Sequence, residues 1–167
     1  MSDDLVRHDP IPAEPFIGRN VTVSAGSSLA RFSLRARQAA DVEKLLGRSV
    51  PQKIGTSTDG VICLGPDEWL LLAPVGTALA MDSATVAVTE VSDRNVCILL
   101  EGPRATELLS AGCPLDFDRF DLGRATRTIF ETVEIIVLRE GAARYHVEVW
   151  RSFAPWLWTA LTTIATE

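Results

Sequence analysis

VICLGPDEWLLL, residues 61–72, decides the fold class. Two apolar bursts, 61–64 and 69–72, flank Gly65-Pro66-Asp67, where glycine and proline interrupt regular structure and aspartate suits a turn. Apolar runs joined by so tight a connection pair side by side and head to tail, which makes an antiparallel hairpin. Upstream, in LARFSLRAR (residues 29–37), Ala30, Phe32, Leu34 and Ala36 alternate with Arg31, Ser33, Arg35 and Arg37. That is the period of a strand with one buried face. Between these strands Val42, Leu45 and Leu46 form the apolar stripe of a short helix over 38–46, ended by Gly47.

Downstream the pattern returns. Residues 86–91 and 96–101 are strand-like, and Gly102-Pro103 opens a helix that carries Leu108 and Leu109 and closes at Gly112. Three more strands follow at 126–130, 133–139 and 144–150, the last two joined at Glu140-Gly141. Ser152 is placed to cap a final helix over 153–163, and segment 73–85 has room for one or two helical turns. The order β-α-β-β-(short helix)-β, then β-α-β-β-β-α, predicts an α+β fold. It has mixed or antiparallel sheets with helices on one face, built as two ferredoxin-like β-α-β-β repeats. Residues 1–20, with Pro10, Pro12 and Pro15, read as a flexible lead-in that Phe16 and Ile17 tack to a single domain over 21–167.

The 167 residues are 47% hydrophobic and 23% charged, a composition that folds around a core. The net charge of −6 is spread evenly, with eight basic and 11 acidic residues in each of 1–90 and 91–167. With no basic lobe, nucleic acid is set aside as the main partner. No run approaches 18 uninterrupted apolar residues, and the opening MSDDLVRHDP is acidic where a signal peptide needs a basic start. Cys63, Cys97 and Cys113 are odd in number and match no zinc or redox spacing, so buried thiols and a cytoplasmic location are expected.

Catalytic apparatus is hard to find. There is no phosphate loop, no nucleophile elbow and no pair of histidines at metal spacing. His146 lies on the face of its strand opposite Tyr145, Val147 and Val149 and reads as a surface or hydrogen-bonded structural residue. Cys97, between Val96 and Ile98, reads as an inert core thiol. Asp116, Asp118 and Asp121 have near-alternate spacing, but the glycine and glutamate of a calcium loop are out of register, which leaves a solvated loop. No catalytic, cofactor or metal residue is assigned.

Two features point to a partner instead. Arg31, Arg35 and Arg37 share a strand face and suit an acidic partner or a carboxylate tail, unless they simply face solvent. In the last helix Phe153, Trp156, Leu157, Ala160, Leu161 and Ile164 form the expected inward stripe, and Trp158 falls off it. Trp158 and Trp150 are therefore candidate interface anchors; the plainer alternative is that a second layer of the same domain covers them.

At this point LGPDEWLLL (64–72), VSDRNVCILLEGP (91–103), GCPLDF (112–117) and RSFAPWLW (151–158), in that order, resemble the gamma subunit of heterotetrameric sarcosine oxidase over residues 29–164. The resemblance implies a fold similar to part of the folate-binding glycine-cleavage T protein, the aminomethyltransferase family. It implies a complex that oxidatively demethylates sarcosine to glycine, forming hydrogen peroxide and passing the one-carbon unit to tetrahydrofolate or releasing it as formaldehyde. In that complex the alpha and beta subunits hold FAD, FMN, NAD and the folate site, and delta holds zinc. The resemblance further implies a gamma subunit that is non-catalytic and packs against alpha. Two other functions stay open: a stand-alone folate-binding protein of the T-protein-like fold, and a small enzyme built on a Cys or His. The folate reading expects a pocket with aromatic walls, a carboxylate for the pterin and an arginine for the glutamate tail.

Overall fold

The alternating apolar positions fold into two stacked antiparallel sheets in a computed structural model that describes residues 8–167. Residues 1–7 of the expected lead-in lie outside the described residues. The strands are β1 (Phe16–Gly18), β2 (Val21–Ala25), β3 (Leu29–Ala36), β4 (Thr56–Thr58), β5 (Val61–Gly65), β6 (Glu68–Pro74), β7 (Val86–Glu90), β8 (Asn95–Glu101), β9 (Ala125–Phe130), β10 (Val133–Gly141) and β11 (Arg144–Trp150). Helix α1 (Ala39–Leu46) follows β3, α2 (Ala105–Ser110) follows β8, and α3 (Ala154–Thr166) follows β11. One sheet runs β4-β5-β6-β3-β7 and the other β1-β2-β8-β11-β10-β9.

The hairpin at 61–72 is β5–β6, with Cys63 opposite Trp69 and Gly65 opposite Glu68; the register slips at Leu64, which makes a bulge. Both sheets share one plan. In the first, β3 lies between β6 and β7; in the second, β8 lies between β11 and β2; β4-β5-β6 and β9-β10-β11 are matching meanders. The chain does repeat itself, but each repeat is β-α-β-β-β, one strand longer than the expected ferredoxin-like β-α-β-β, and the strand completing the second sheet comes from the N-terminal side of the first repeat.

Several local expectations change. All pairings are antiparallel. Residues 75–85 form no helix, because scattered Leu79 and Met81 make no stripe to bury. Strand β10 runs through Gly141, so the turn falls on Ala142-Ala143. Phe153, not Ser152, is the α3 N-cap, and it makes no side-chain capping bond. Strands β1, β2 and β4 are too short for a periodicity of two to stand out, although Val21 and Val23 are both buried.

Three cores give four layers. Helices α2 and α3 cover the outer face of the six-stranded sheet, where Leu108, Leu109, Leu157 and Leu161 meet Ile98, Leu100, Tyr145 and Val147. Helix α1 covers the outer face of the other sheet, with Val42 packed among Phe32, Leu34, Trp69 and Leu71. Between the sheets Ile62, Leu70, Val91, Ala125 and Ile136 form a third core.

Helix α3 sits rotated from its expected phase. Its buried residues are Ala154, Leu157, Trp158, Leu161 and Ala165, whereas Phe153 is 46% and Trp156 41% exposed. At 100° per residue the two stripes differ by roughly 80°. Close approach sets the phase: a Cβ on Gly18 of β1 would lie 2.6 Å from the Ala165 carbonyl oxygen, so the helix meets the sheet on its alanine side. The hydropathy pattern weighted the large aromatics instead.

Candidate functional site

The apolar core fills only part of the space between the sheets; the rest is charged. Strand β11 alternates Tyr145, Val147 and Val149, turned to the helices, with Arg144, His146 and Glu148, turned to the other sheet. Because β11 is central in its sheet and β3 lies over it, that polar face is cut off from water: Arg31, His146 and Glu148 are 3%, 6% and 1% exposed. Charges so placed are tolerated only when paired and hydrogen-bonded.

They are paired in a row of alternating sign. Arg31 grips Glu148 with two donors, Nε to Oε2 at 2.6 Å and Nη2 to Oε1 at 2.9 Å, and its Nη1 donates to the Leu29 carbonyl at 3.0 Å. His146 Nε2 is 2.7 Å from Glu148 Oε1, and its Nδ1 is 3.2 Å from Glu140 Oε1. Glu140, the unpaired residue at a bulge in β10, accepts from Arg144 Nε at 3.0 Å, and Arg144 Nη1 reaches Glu101 at 2.8 Å. Six charges thus run from the buried interface to the rim.

Their protonation follows from their neighbours. Burial opposes a charge on His146, but hydrogen bonds to Cys97, Glu140 and Glu148 outweigh it and push its pKa up to about 12. The His146 hydrogen bond, working against burial and helped by Arg144, brings Glu140 down to about 2. Burial likewise opposes ionisation of Glu148, yet His146 and Arg31 hold it below the usual carboxylate range. Cys97 goes the other way: burial raises its thiol despite His146. The interior therefore holds an imidazolium between two carboxylates, beside a neutral thiol.

Register brings the thiol there. Cys97 pairs directly with Glu148 across β8 and β11, and the donor atoms of Cys97, His146 and Glu148 all lie within 4.8 Å of one another. Cys97 and Arg31 also line a cleft of about 830 Å³ between Ser27-Ser28, Thr77, Ser92, Asn95 and Arg151. Gly26 packs against the thiol and must stay a glycine, since a Cβ there would fall 2.3 Å from Cys97 Sγ. None of the described residues lining the cleft is aromatic, so the walls expected of a pterin pocket are not there.

The five candidate interface residues separate. Arg31 is not on an outer face but inside, spent on Glu148, because the second sheet covers its side of β3. Trp158 is 9% exposed and covered by this chain's own core. Arg35 is at the surface, paired with Asp67 and Glu68, and Arg37 is exposed. Trp150 is 42% exposed, stacked under Arg94 and against Phe153. Phe153 and Trp156 extend this aromatic surface, and the expected helix phase had turned both inward. Asp116 is a local cap, accepting from the Asp118 amide. Glu148 and Glu140 were missed, although His146-x-Glu148 on one strand face was a legible signal. The three cysteines are free and buried. Among the described residues no helix is long and apolar enough to cross a membrane.

Comparison with known proteins agrees with this architecture. A chain of heterotetrameric sarcosine oxidase from Corynebacterium sp. U-96, solved in complex with pyrrole 2-carboxylate, superposes with a TM-score of 0.78 at 27% identity, over 93% of this chain and 90% of that one. The glycine cleavage system aminomethyltransferase T from Bartonella henselae shares the fold, with a TM-score of 0.65 at 14% identity, over 86% of this chain and 46% of that chain. Among curated relatives, the sarcosine oxidase subunit gamma of Corynebacterium sp. (strain P-1) is 28% identical over 145 residues, 77% of this chain and 71% of the relative. The corresponding subunit from Arthrobacter sp is 30% identical over 115 residues, 61% of this chain and 57% of the relative. Residues 32–167 match the family model for the sarcosine oxidase gamma subunit, and the chain belongs to that family.

Proposed function

We propose that this chain is a non-catalytic accessory subunit of a heterotetrameric sarcosine oxidase, the complex that oxidatively demethylates sarcosine to glycine with release of hydrogen peroxide and a one-carbon unit. The observation that carries the reading is its likeness to 90% of one chain of such an assembly, which makes it the counterpart of a whole subunit. In this reading it packs against the alpha subunit, with beta and delta completing a cytoplasmic complex. FAD, FMN, NAD, tetrahydrofolate and zinc belong to those other subunits.

Trp150, Phe153 and Trp156 supply the docking surface. Three aromatics exposed by 41–46% at one end of α3, with Arg94 over Trp150, have the composition of an interface anchor. Arg35 and Arg37 flank the same reading as polar contacts. The test is recovery of the tagged chain from its host grown on sarcosine. Co-purifying large chains with flavin absorbance, lost in the Trp150→Ser/Phe153→Ser variant, is the expected outcome. A colourless chain recovered alone would refute the assignment.

A further inference from the structure

The proposed accessory role uses none of Cys97, His146 and Glu148, yet among the described residues they form a group placed to hold an ion. We propose that Cys97 Sγ, His146 Nε2 and Glu148 Oε1 form a buried binding site for a zinc-class divalent cation at the seam between the two sheets, reached through the adjoining cleft. The three donor atoms lie within 4.8 Å of one another. An ion bound at about 2.0–2.3 Å from each requires donors roughly 3.3–3.8 Å apart, so the side chains move by an ångström or less. The ligands sit on neighbouring central strands in direct register, Cys97 against Glu148 and His146 two residues along the same face, so the backbone presents them without rearrangement.

A supporting shell is already in place. Glu140 faces the other ring nitrogen of His146 at 3.2 Å, the carboxylate–histidine arrangement that fixes a ligating imidazole. Arg31 holds Glu148 through both oxygens, Nε to Oε2 at 2.6 Å and Nη2 to Oε1 at 2.9 Å, and the Oε1 lone pair that faces His146 Nε2 at 2.7 Å is the one freed for the ion when the Nε2 proton leaves. Charge also balances. The ion displaces one proton from the His146 imidazolium at Nε2 and one from the Cys97 thiol, so two protons leave as two positive charges enter. The alternating row keeps its total charge, and no oxidant or reductant is involved. Cys97 lines the cleft, which provides the entry path. The thiolate and imidazole donors favour zinc or cobalt(II) over magnesium or calcium.

The experiment is titration of the full chain, stripped with a chelator, with zinc and then with cobalt(II). Expected are one equivalent bound, release of close to two protons per zinc near neutral pH, and a thiolate-to-cobalt charge-transfer band. Cys97→Ala and His146→Gln, each confirmed folded by circular dichroism, weaken binding at least tenfold, and Glu140→Gln weakens it by about tenfold while keeping the band. If the wild-type chain shows no stoichiometric binding, or binds without two-proton release and without the cobalt band, the site does not exist. Binding that survives Cys97→Ala unchanged overturns it equally.

Discussion

Replacing Arg31 with methionine keeps most of the side-chain volume and deletes the guanidinium, leaving Glu148 buried. Glu148 is 1% exposed and holds Arg31 by two bonds of 2.6 and 2.9 Å, so no water can take over those contacts without opening the sheet interface. Breaking a buried pair from one side costs about 3–5 kcal/mol. Here His146 remains 2.7 Å from Glu148 Oε1 as a second counter-charge, which places the loss at the low end, about 3 kcal/mol. For a domain of this size that is a fall in Tm of about 6–12 °C. Urea unfolding of the full chain at pH 7, followed by circular dichroism, measures it. Glu148→Gln in the same background removes the stranded charge and recovers part of the loss, so the double-mutant cycle reports coupling above about 1 kcal/mol. A loss under 1 kcal/mol for Arg31→Met, or no coupling, would show that the pair contributes nothing to holding the sheets together.

In the metal-free chain His146, with its pKa raised to about 12 from 6.5, contributes stability that is complete below about 6.5 and declines as pH rises towards 12. Unfolding at pH 7, 8 and 9 shows that decline, and His146→Gln flattens it. Glu140, lowered to about 2 from 4.5, contributes stability above about 4.5 that fades as pH falls towards 2; at the partly exposed rim this amounts to about 1–2 kcal/mol after screening, read as the difference between wild type and Glu140→Gln at pH 5 and pH 3. Gly26→Val drives a side chain into Cys97 Sγ, 2.3 Å from the added Cβ, and costs about 1–3 kcal/mol in the same urea assay. Trp158→Ala removes a core side chain and costs about 3–5 kcal/mol, whereas Trp150→Ser, at the surface, changes the chain's own stability by about 0.5 kcal/mol or less while weakening recovery of partner subunits.

The hairpins were legible because strands with one buried face write a period of two into the sequence, and the Gly65-Pro66-Asp67 turn punctuates it. Three of the four family motifs were legible for the same reason, since they lie on β6, β8 and α3, where packing restricts residue choice; the fourth, GCPLDF, lies in the loop after α2. The buried charge row was not. Its central bond joins residues 117 apart, and nothing local to Arg31 says that a second sheet will cover its face. A stripe of arginines on one strand face is normally solvated, and that default holds for Arg37 but fails for Arg31. The α3 phase failed for a related reason: the side chains that set it, Gly18 and Ala165, are the small ones, invisible to a hydropathy count.

The borrowed strand in the second sheet has a consequence for how the chain is made. Every strand of the five-stranded sheet lies within residues 29–90, so that sheet can assemble while the ribosome is still producing the rest. Strands β1 and β2 emerge first but must wait for a partner, because β8, the strand that β2 pairs with, is made some seventy residues later. Ala165 at the end of α3 then closes over Gly18, and its carbonyl accepts from the Arg19 amide at 3.3 Å, so the β1–β2 hairpin and the last helix meet. Cutting the chain before β3 and rejoining β1–β2 behind α3 would turn the domain into two consecutive repeats with each sheet built from its own half. Such a permuted chain would spare the waiting hairpin its long exposure as an unpaired edge.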